Sequence, residues 1–165
     1  MKRMDTFKCR ICHIFSAAHF VIRGKICESL HGHNYKITLE VTGELNEYQM
    51  VIDFKHLKQL LIEVCKELDH KFLLPGKSKN IIIQLNENKA YIRVHWNNVI
   101  KEYVIPKTDI KILPINAITS EKLAEYICKQ IVIKLRNLKI STIKGIKVVV
   151  EELPGCSASF ETKIF

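Results

Sequence analysis

Cys27-Glu28-Ser29-Leu30-His31-Gly32-His33 runs without a break into Asn34-Tyr35-Lys36-Ile37-Thr38-Leu39-Glu40-Val41-Thr42-Gly43. In the second part Tyr35, Ile37, Leu39 and Val41 alternate with Lys36, Thr38 and Glu40, the period-two pattern of a strand with one buried face, spanning about 33–43. Carried back, the same alternation places His31 and His33 on one face, where two imidazoles can serve one metal ion. Gly32 between them has no side chain, so another element can approach the opposite face closely. His19, at the end of the preceding strand, is available as a third imidazole. Three neutral imidazoles suit Zn²⁺ and leave a fourth position for water or substrate, the arrangement of catalytic zinc. A His-x-His pair by itself is a weak signal, because strand histidines are usually ordinary polar residues.

Outward from this strand, Phe7, Cys9 and Ile11 alternate with Lys8 and Arg10 and predict a first strand over about 6–18. Arg23-Gly24-Lys25 separates the two strands, and Gly43-Glu44-Leu45-Asn46 ends the second. Leu57, Leu60, Leu61, Val64 and Leu68 recur at spacings of three and four, a helix with Asp53 as its N-cap. Residues 80–105 read as two or three short strands broken at Asn86-Glu87-Asn88-Lys89 and Asn97-Asn98. A second helix covers about 120–137, with Leu123, Ile127, Ile131 and Leu135 on one face, Thr119 as cap and Glu121 at the positive end of its dipole. Ile146, Val148 and Val150 begin a third main strand, and residues 157–164 supply a fourth after Pro154-Gly155. Strands grouped at both ends with helices between them predict an α+β fold, an antiparallel sheet covered on one face.

The chain of 165 residues is 47% apolar and 26% charged, which suits one globular domain spanning 1–165. No run approaches the roughly 20 apolar residues of a membrane span. Lys2, Arg3, Lys8 and Arg10 leave no apolar segment for an export signal, so a cytoplasmic protein with reduced thiols is expected of its six cysteines. Net charge is +9, but the lysines are spread along the chain with no block of like charge. Nucleic acid and membrane are therefore not expected partners, and a small polyanion is compatible with the charge.

Cys27 stands four residues before His31, and a thiol beside a divalent cation has a lowered pKa that frees the thiolate as base or nucleophile. The competing reading is a small buried hydrophobe. Asp69-His70 closes the first helix as a carboxylate beside an imidazole, fit for acid–base work or, more plainly, for a helix C-terminus. Glu151-Glu152 ends a valine-rich strand, where one carboxylate can hold a ligand with two adjacent N–H donors. Cys9-x-x-Cys12-His13 spells a c-type haem attachment motif, but it lies inside an alternating strand with no export signal.

Phe15-Ser16-Ala17-Ala18-His19, Cys27-x-x-x-His31-Gly32-His33-Asn34-Tyr35, Val51-Ile52-Asp53-Phe54, Leu68-Asp69-His70, Thr119-Ser120-Glu121 and Val150-Glu151-Glu152 occur in the order seen in one family. The chain resembles the 6-pyruvoyl-tetrahydropterin synthase family, including its 6-carboxy-tetrahydropterin synthase branch, over about 6–75 and 115–160. The resemblance implies the T-fold, a four-stranded antiparallel sheet with two helices on one face, assembled into a homohexamer with active sites at subunit interfaces. It implies His19, His31 and His33 as zinc ligands, Cys27 as catalytic thiol, and Asp69 and His70 as acid–base partners. Glu152 would anchor the pterin, with Thr119 and Ser120 lining its pocket. The expected activity is a zinc-dependent lyase that eliminates triphosphate from 7,8-dihydroneopterin triphosphate to give 6-carboxy-5,6,7,8-tetrahydropterin, a precursor of tRNA deazapurines.

Two features depart from that pattern. Residues 71–118 are longer than the expected connection, and a β-rich insertion at about 78–116 accounts for the difference. Glu28 is the other. A Cys four residues before His-Gly-His resembles the 6-carboxy branch, and a Glu three residues before it resembles a variant that cleaves dihydroneopterin-type side chains toward folate or methanopterin precursors. Neighbouring side chains diverge, so Cys27 and Glu28 cannot occupy one place; the expectation favours Cys27, with Glu28 as the alternative acid/base. A T-fold protein that keeps the metal without the chemistry is the non-enzymatic rival.

Overall fold

The computed structural model describes residues 6–164. Strand β1 (Phe7–His19) and strand β4 (His31–Gly43) form a long antiparallel pair whose register runs from Phe7 opposite Gly43 to His19 opposite His31. Between them the connector folds into a miniature hairpin, β2 (Ile22–Arg23) and β3 (Ile26–Cys27), turned at Gly24, whose φ of +53° a side chain would resist.

Helix α1 (Phe54–Lys66) starts where Asp53 accepts a hydrogen bond from the Lys55 amide, and α2 (Ser120–Asn137) starts where Thr119 accepts one from Lys122. Both caps are the expected residues, each satisfying an amide that the first turn leaves without a partner. Strand β10 (Ile143–Leu153) pairs with the far side of β4, and β11 (Cys156–Lys163) pairs with β10. These four antiparallel strands and two helices are the expected α+β frame. Inward side chains of one sheet face, including Phe15, Tyr35, Ile37, Leu39, Val148 and Val150, pack with Leu57, Leu61, Leu123, Ile127 and Ile131 of the helices in one core.

The sheet itself is larger than four strands. β5 (Lys71–Pro75) pairs parallel to the end of β1, and β9 (Ile110–Leu113) pairs parallel to β5, giving a six-stranded mixed sheet ordered β11-β10-β4-β1-β5-β9. Phe72-Leu73-Leu74 is a continuous apolar run, buried on both sides, and so carries no alternation to announce a strand. Between β5 and β9, strands β6 (Ile81–Leu85), β7 (Lys89–Trp96) and β8 (Val99–Pro106) form a separate antiparallel meander. Ala90, Ile92 and Val94 of its inner face close a second apolar cluster with Phe20, Phe72, Leu74 and Ile110. Among the described residues no helix is long and apolar enough to cross a membrane.

Candidate active site

The three histidines converge because of strand register. His19 and His31 are direct cross-strand partners, and His33, two residues along β4, shares their face opposite Ala17. Gly32 between them is where a Cβ would sit 3.0 Å from the Ala17 carbonyl oxygen, so the glycine permits this close pairing of the strands. One ligand atom from each ring lies within 4.8 Å of the others. The His19 Nδ1–H donates to the Ile118 carbonyl at 2.8 Å and the His31 Nδ1–H to the Ser29 carbonyl at 2.8 Å. A carbonyl only accepts, so both rings carry their proton on Nδ1 and turn Nε2 with its lone pair toward the common point.

These residues fit a metal ion. His19 is only 2% exposed, and its Nε2 is buried without a hydrogen-bond partner, a costly state that a cation bound there would relieve. Glu152 Oε1 comes within 3.0 Å of that nitrogen and 3.2 Å of His33 Nε2, the first approach lacking hydrogen-bond geometry. Burial, the largest influence, lowers the His19 pKa, outweighing the Ile118 carbonyl and Glu152, while His31 and His33 push the same way. A neutral imidazole is what a metal requires. Tetrahedral zinc at 2.0–2.1 Å spaces its nitrogens by roughly 3.4 Å, a small closing movement from the separations here.

Glu152 is held from two other sides. Tyr35 Oη donates toward its Oε1 at 3.5 Å and Ser120 Oγ to its Oε2 at 3.3 Å. Burial, and then Glu152 itself, raise the Tyr35 phenol far above its ordinary range, so it remains a donor. The strand alternation gives Tyr35 only as one of the inward apolar positions, although its place two residues after His33 puts it on the histidine face. His19, Glu28, Thr119, Ser120 and Glu152 line one cleft of about 480 Å³, a volume suited to a small heterocycle.

The two adjacent candidates at 27 and 28 part company. Glu28 opens on that cleft, its carboxylate taking the Val21 amide at 3.2 Å and lying 3.4 Å from Arg23 Nε. Cys27 is half-buried against the second apolar cluster, beside the packed rings of Phe20, Phe72 and Tyr103. Asp69 and His70 meet one another at 2.9 Å, but His70 lines a different cavity, of about 500 Å³, with Ser16, Ala18, Asn34 and one of the three histidines, His33. Ser16, Ala18 and Asn34 leave the hairpin on the face opposite His19 and His31. Asp69 also accepts the Ser16 amide at 2.9 Å; burial raises its pKa, but Ser16 and His70 outweigh it and hold the carboxyl below its usual range. His70 is 81% exposed and sits at φ +56°, a strained backbone for a residue with a side chain. Within one chain the pair does not line the cleft of His19, Glu28 and Glu152.

Four of the remaining cysteines carry no rival site, and the exposed Cys156 lines the candidate cleft. Cys9 and Cys12 are three apart on β1 and so face opposite sides of the sheet, unable to grip one haem. Burial pushes the Cys65 thiol up to about 12 and that of Cys128 up to about 11, leaving both protonated and inert.

Comparison with known proteins agrees with this geometry. A Methanocaldococcus jannaschii protein provisionally named 6-carboxy-5,6,7,8-tetrahydropterin synthase is 37% identical over 147 residues, 88% of each chain. The crystal structure of 6-pyruvoyl tetrahydropterin synthase from Plasmodium vivax superposes with a TM-score of 0.87 at 32% identity, covering 96% of this chain and 99% of that one. Two further structures of the Plasmodium protein, at 31% identity and the same score and coverage, have a glutamate described as a catalytic residue replaced by alanine or by cysteine. Residues 8–163 match the family described as 6-pyruvoyl tetrahydropterin synthase. With its histidine cluster, its sheet and nearly its whole length accounted for, the chain belongs to the 6-pyruvoyl tetrahydropterin synthase family, whose members are pterin-processing lyases.

Proposed function

We propose that the chain is a zinc-dependent lyase acting on 7,8-dihydroneopterin triphosphate and water, releasing triphosphate and the two outer side-chain carbons as acetaldehyde to give 6-carboxy-5,6,7,8-tetrahydropterin. The observation that carries this reading is the convergence of the ring nitrogens of His19, His31 and His33, with the Glu152 carboxylate against two of them and His19 and Glu152 lining a cleft of about 480 Å³. His19, His31 and His33 would hold the ion, which as a Lewis acid lowers the pKa of side-chain hydroxyls and stabilises developing alkoxide charge. Glu152, steadied by Tyr35 and Ser120, accepts the 2-amino and N3 hydrogens of the pterin, a two-donor edge that matches a carboxylate. A group at position 27 or 28 takes a proton at the side-chain carbon next to the ring. His70, oriented by Asp69, receives or returns protons. The excess of nine positive charges favours the approach of a polyphosphate.

Because His70 lines another cavity, the complete site on this reading combines two copies of the chain in a ring, with six subunits as the expected number.

A second reading assigns the proton transfer to Glu28 and the reaction to cleavage of a dihydroneopterin-type side chain. The exposure of Glu28 to the cleft supports it, as does the catalytic glutamate of the Plasmodium vivax relative. Mass spectrometry of the products formed from dihydroneopterin triphosphate and from dihydroneopterin separates the two. On the 6-carboxy reading, Cys27→Ala loses turnover by roughly 100-fold or more while Glu28→Gln changes it little. The reverse ranking moves the chemistry to Glu28. Zinc-loaded protein that binds the pterin but releases no triphosphate and cleaves no side chain is a binding protein, and both readings fail.

A further inference from the structure

The Cys27-Glu28 segment has little local support. Strand β3 is two residues long, its hairpin with β2 has two residue pairs, and the next tie is the Glu28 amide to the Val21 carbonyl at 3.1 Å. A two-residue strand pair is marginal alone. The segment is instead caught from the meander. Lys101, on β8, donates from Nζ to the Cys27 carbonyl at 3.0 Å and to the Glu28 carbonyl at 2.7 Å, across 74 and 73 residues of chain. Tyr103, two residues along the same strand face, packs with Phe20 and Phe72 in the cluster that takes up Cys27.

We propose that Lys101 is a positioning residue for the reaction, and that the β6–β8 meander serves to hold the Cys27-Glu28 segment in its working conformation. Two consecutive carbonyls bound to one ammonium fix the peptide planes on either side of Glu28. The planes in turn set the directions in which the side chains leave: Glu28 toward the cleft with His19 and Glu152, Cys27 into the apolar cluster. Ammonium-to-carbonyl bonds are charge-assisted and stronger than neutral ones. A small misplacement of a reacting group is enough to cost roughly 100-fold in rate. The proposal rests on the second reading, in which Glu28 carries the proton transfer, because Glu28 is the side chain that this conformation turns to the cleft.

The test compares Lys101→Met, which keeps the stem and removes the donors, with Lys101→Arg, which keeps donors, and with Glu102→Gln. Glu102 is the next residue on β8 and pairs with Arg93 at 2.6 Å on the outer face of the meander, away from the segment. Two measurements are made on the full-length zinc-loaded protein: hydrogen–deuterium exchange resolved over residues 22–31, and the steady-state kinetics of dihydroneopterin triphosphate turnover. Expected for Lys101→Met are faster exchange over 22–31 and a kcat lower by roughly 10- to 100-fold with KM within about threefold of wild type. Lys101→Arg restores much of both, and Glu102→Gln leaves both unchanged. Unchanged exchange in Lys101→Met overturns the proposal whatever the kinetics, and so does an equal effect of Glu102→Gln, which would mean general weakening of the meander. A wild-type protein without turnover defeats the functional reading separately, because the exchange measurement still reports on the contact.

Discussion

His31 holds its ring by donating Nδ1–H to the Ser29 carbonyl, and its side chain is exposed, so removing the imidazole takes away a ligand without opening the core. His31→Ala is expected to purify without stoichiometric zinc, measured by metal analysis, while the metal-free variant melts within a few degrees of metal-free wild type. Retention of a full equivalent of zinc would remove His31 from the ligand set. Glu125 offers a test of charge rather than of metal. Lys122 and Lys129 hold its carboxyl at about 2 instead of the ordinary 4.5. A carboxyl depressed in the folded state stabilises fully above its unfolded pKa and loses that contribution as pH falls through the folded one. Glu125→Gln is therefore expected to cost at most about 1 kcal/mol at neutral pH, discounted because the pair is solvent-screened. Chemical denaturation should find that difference constant above pH 4.5, shrinking as pH falls toward 2, and smaller in high salt.

At the scale of the element, the helices are set by their first residues. Asp53 is the side-chain cap of α1, and its replacement by alanine leaves the Lys55 amide without that acceptor. Asp53→Ala is expected to destabilise the protein by about 1 kcal/mol in urea unfolding, with zinc content unchanged, because α1 supplies core residues and no ligand. The β1–β4 pair works differently. Its thirteen-residue strands bring His19 opposite His31 only while the register holds, and a slip of β4 by one residue would turn His31 and His33 to the face opposite His19. Gly32, pressed against the Ala17 carbonyl, helps to keep that pairing tight.

Across the whole molecule, His70 of the acid–base pair and the group of His19, Glu28 and Glu152 line two different cavities. On the proposed ring, a variant lacking His70 and a variant lacking the proton-transfer group at 27 or 28 are defective in different halves of the same composite site. Mixing His70→Ala with whichever of Cys27→Ala or Glu28→Gln is inactive, after dissociation and reassembly, is expected to restore activity in about one quarter of sites. No recovery on mixing, with mixed assemblies demonstrated by mass spectrometry, would place the complete site within one chain.

What the amino-acid sequence determined by itself was whatever depends on neighbours a few residues apart. Period-two alternation put His31, His33 and Tyr35 on one strand face, and spacings of three and four with a short polar cap delimited both helices. The order of motifs was enough to name the family. Only the tertiary structure decided that β5 and β9 join the main sheet, since a doubly buried apolar run has no polar face to betray it. It alone decided which of Cys27 and Glu28 faces the cleft, in a segment that is contacted by Lys101, more than seventy residues away. It alone placed His70 in a different cavity from His19, Glu28 and Glu152. Local periodicity says which face a side chain occupies, and only the packing of distant segments says what that face meets.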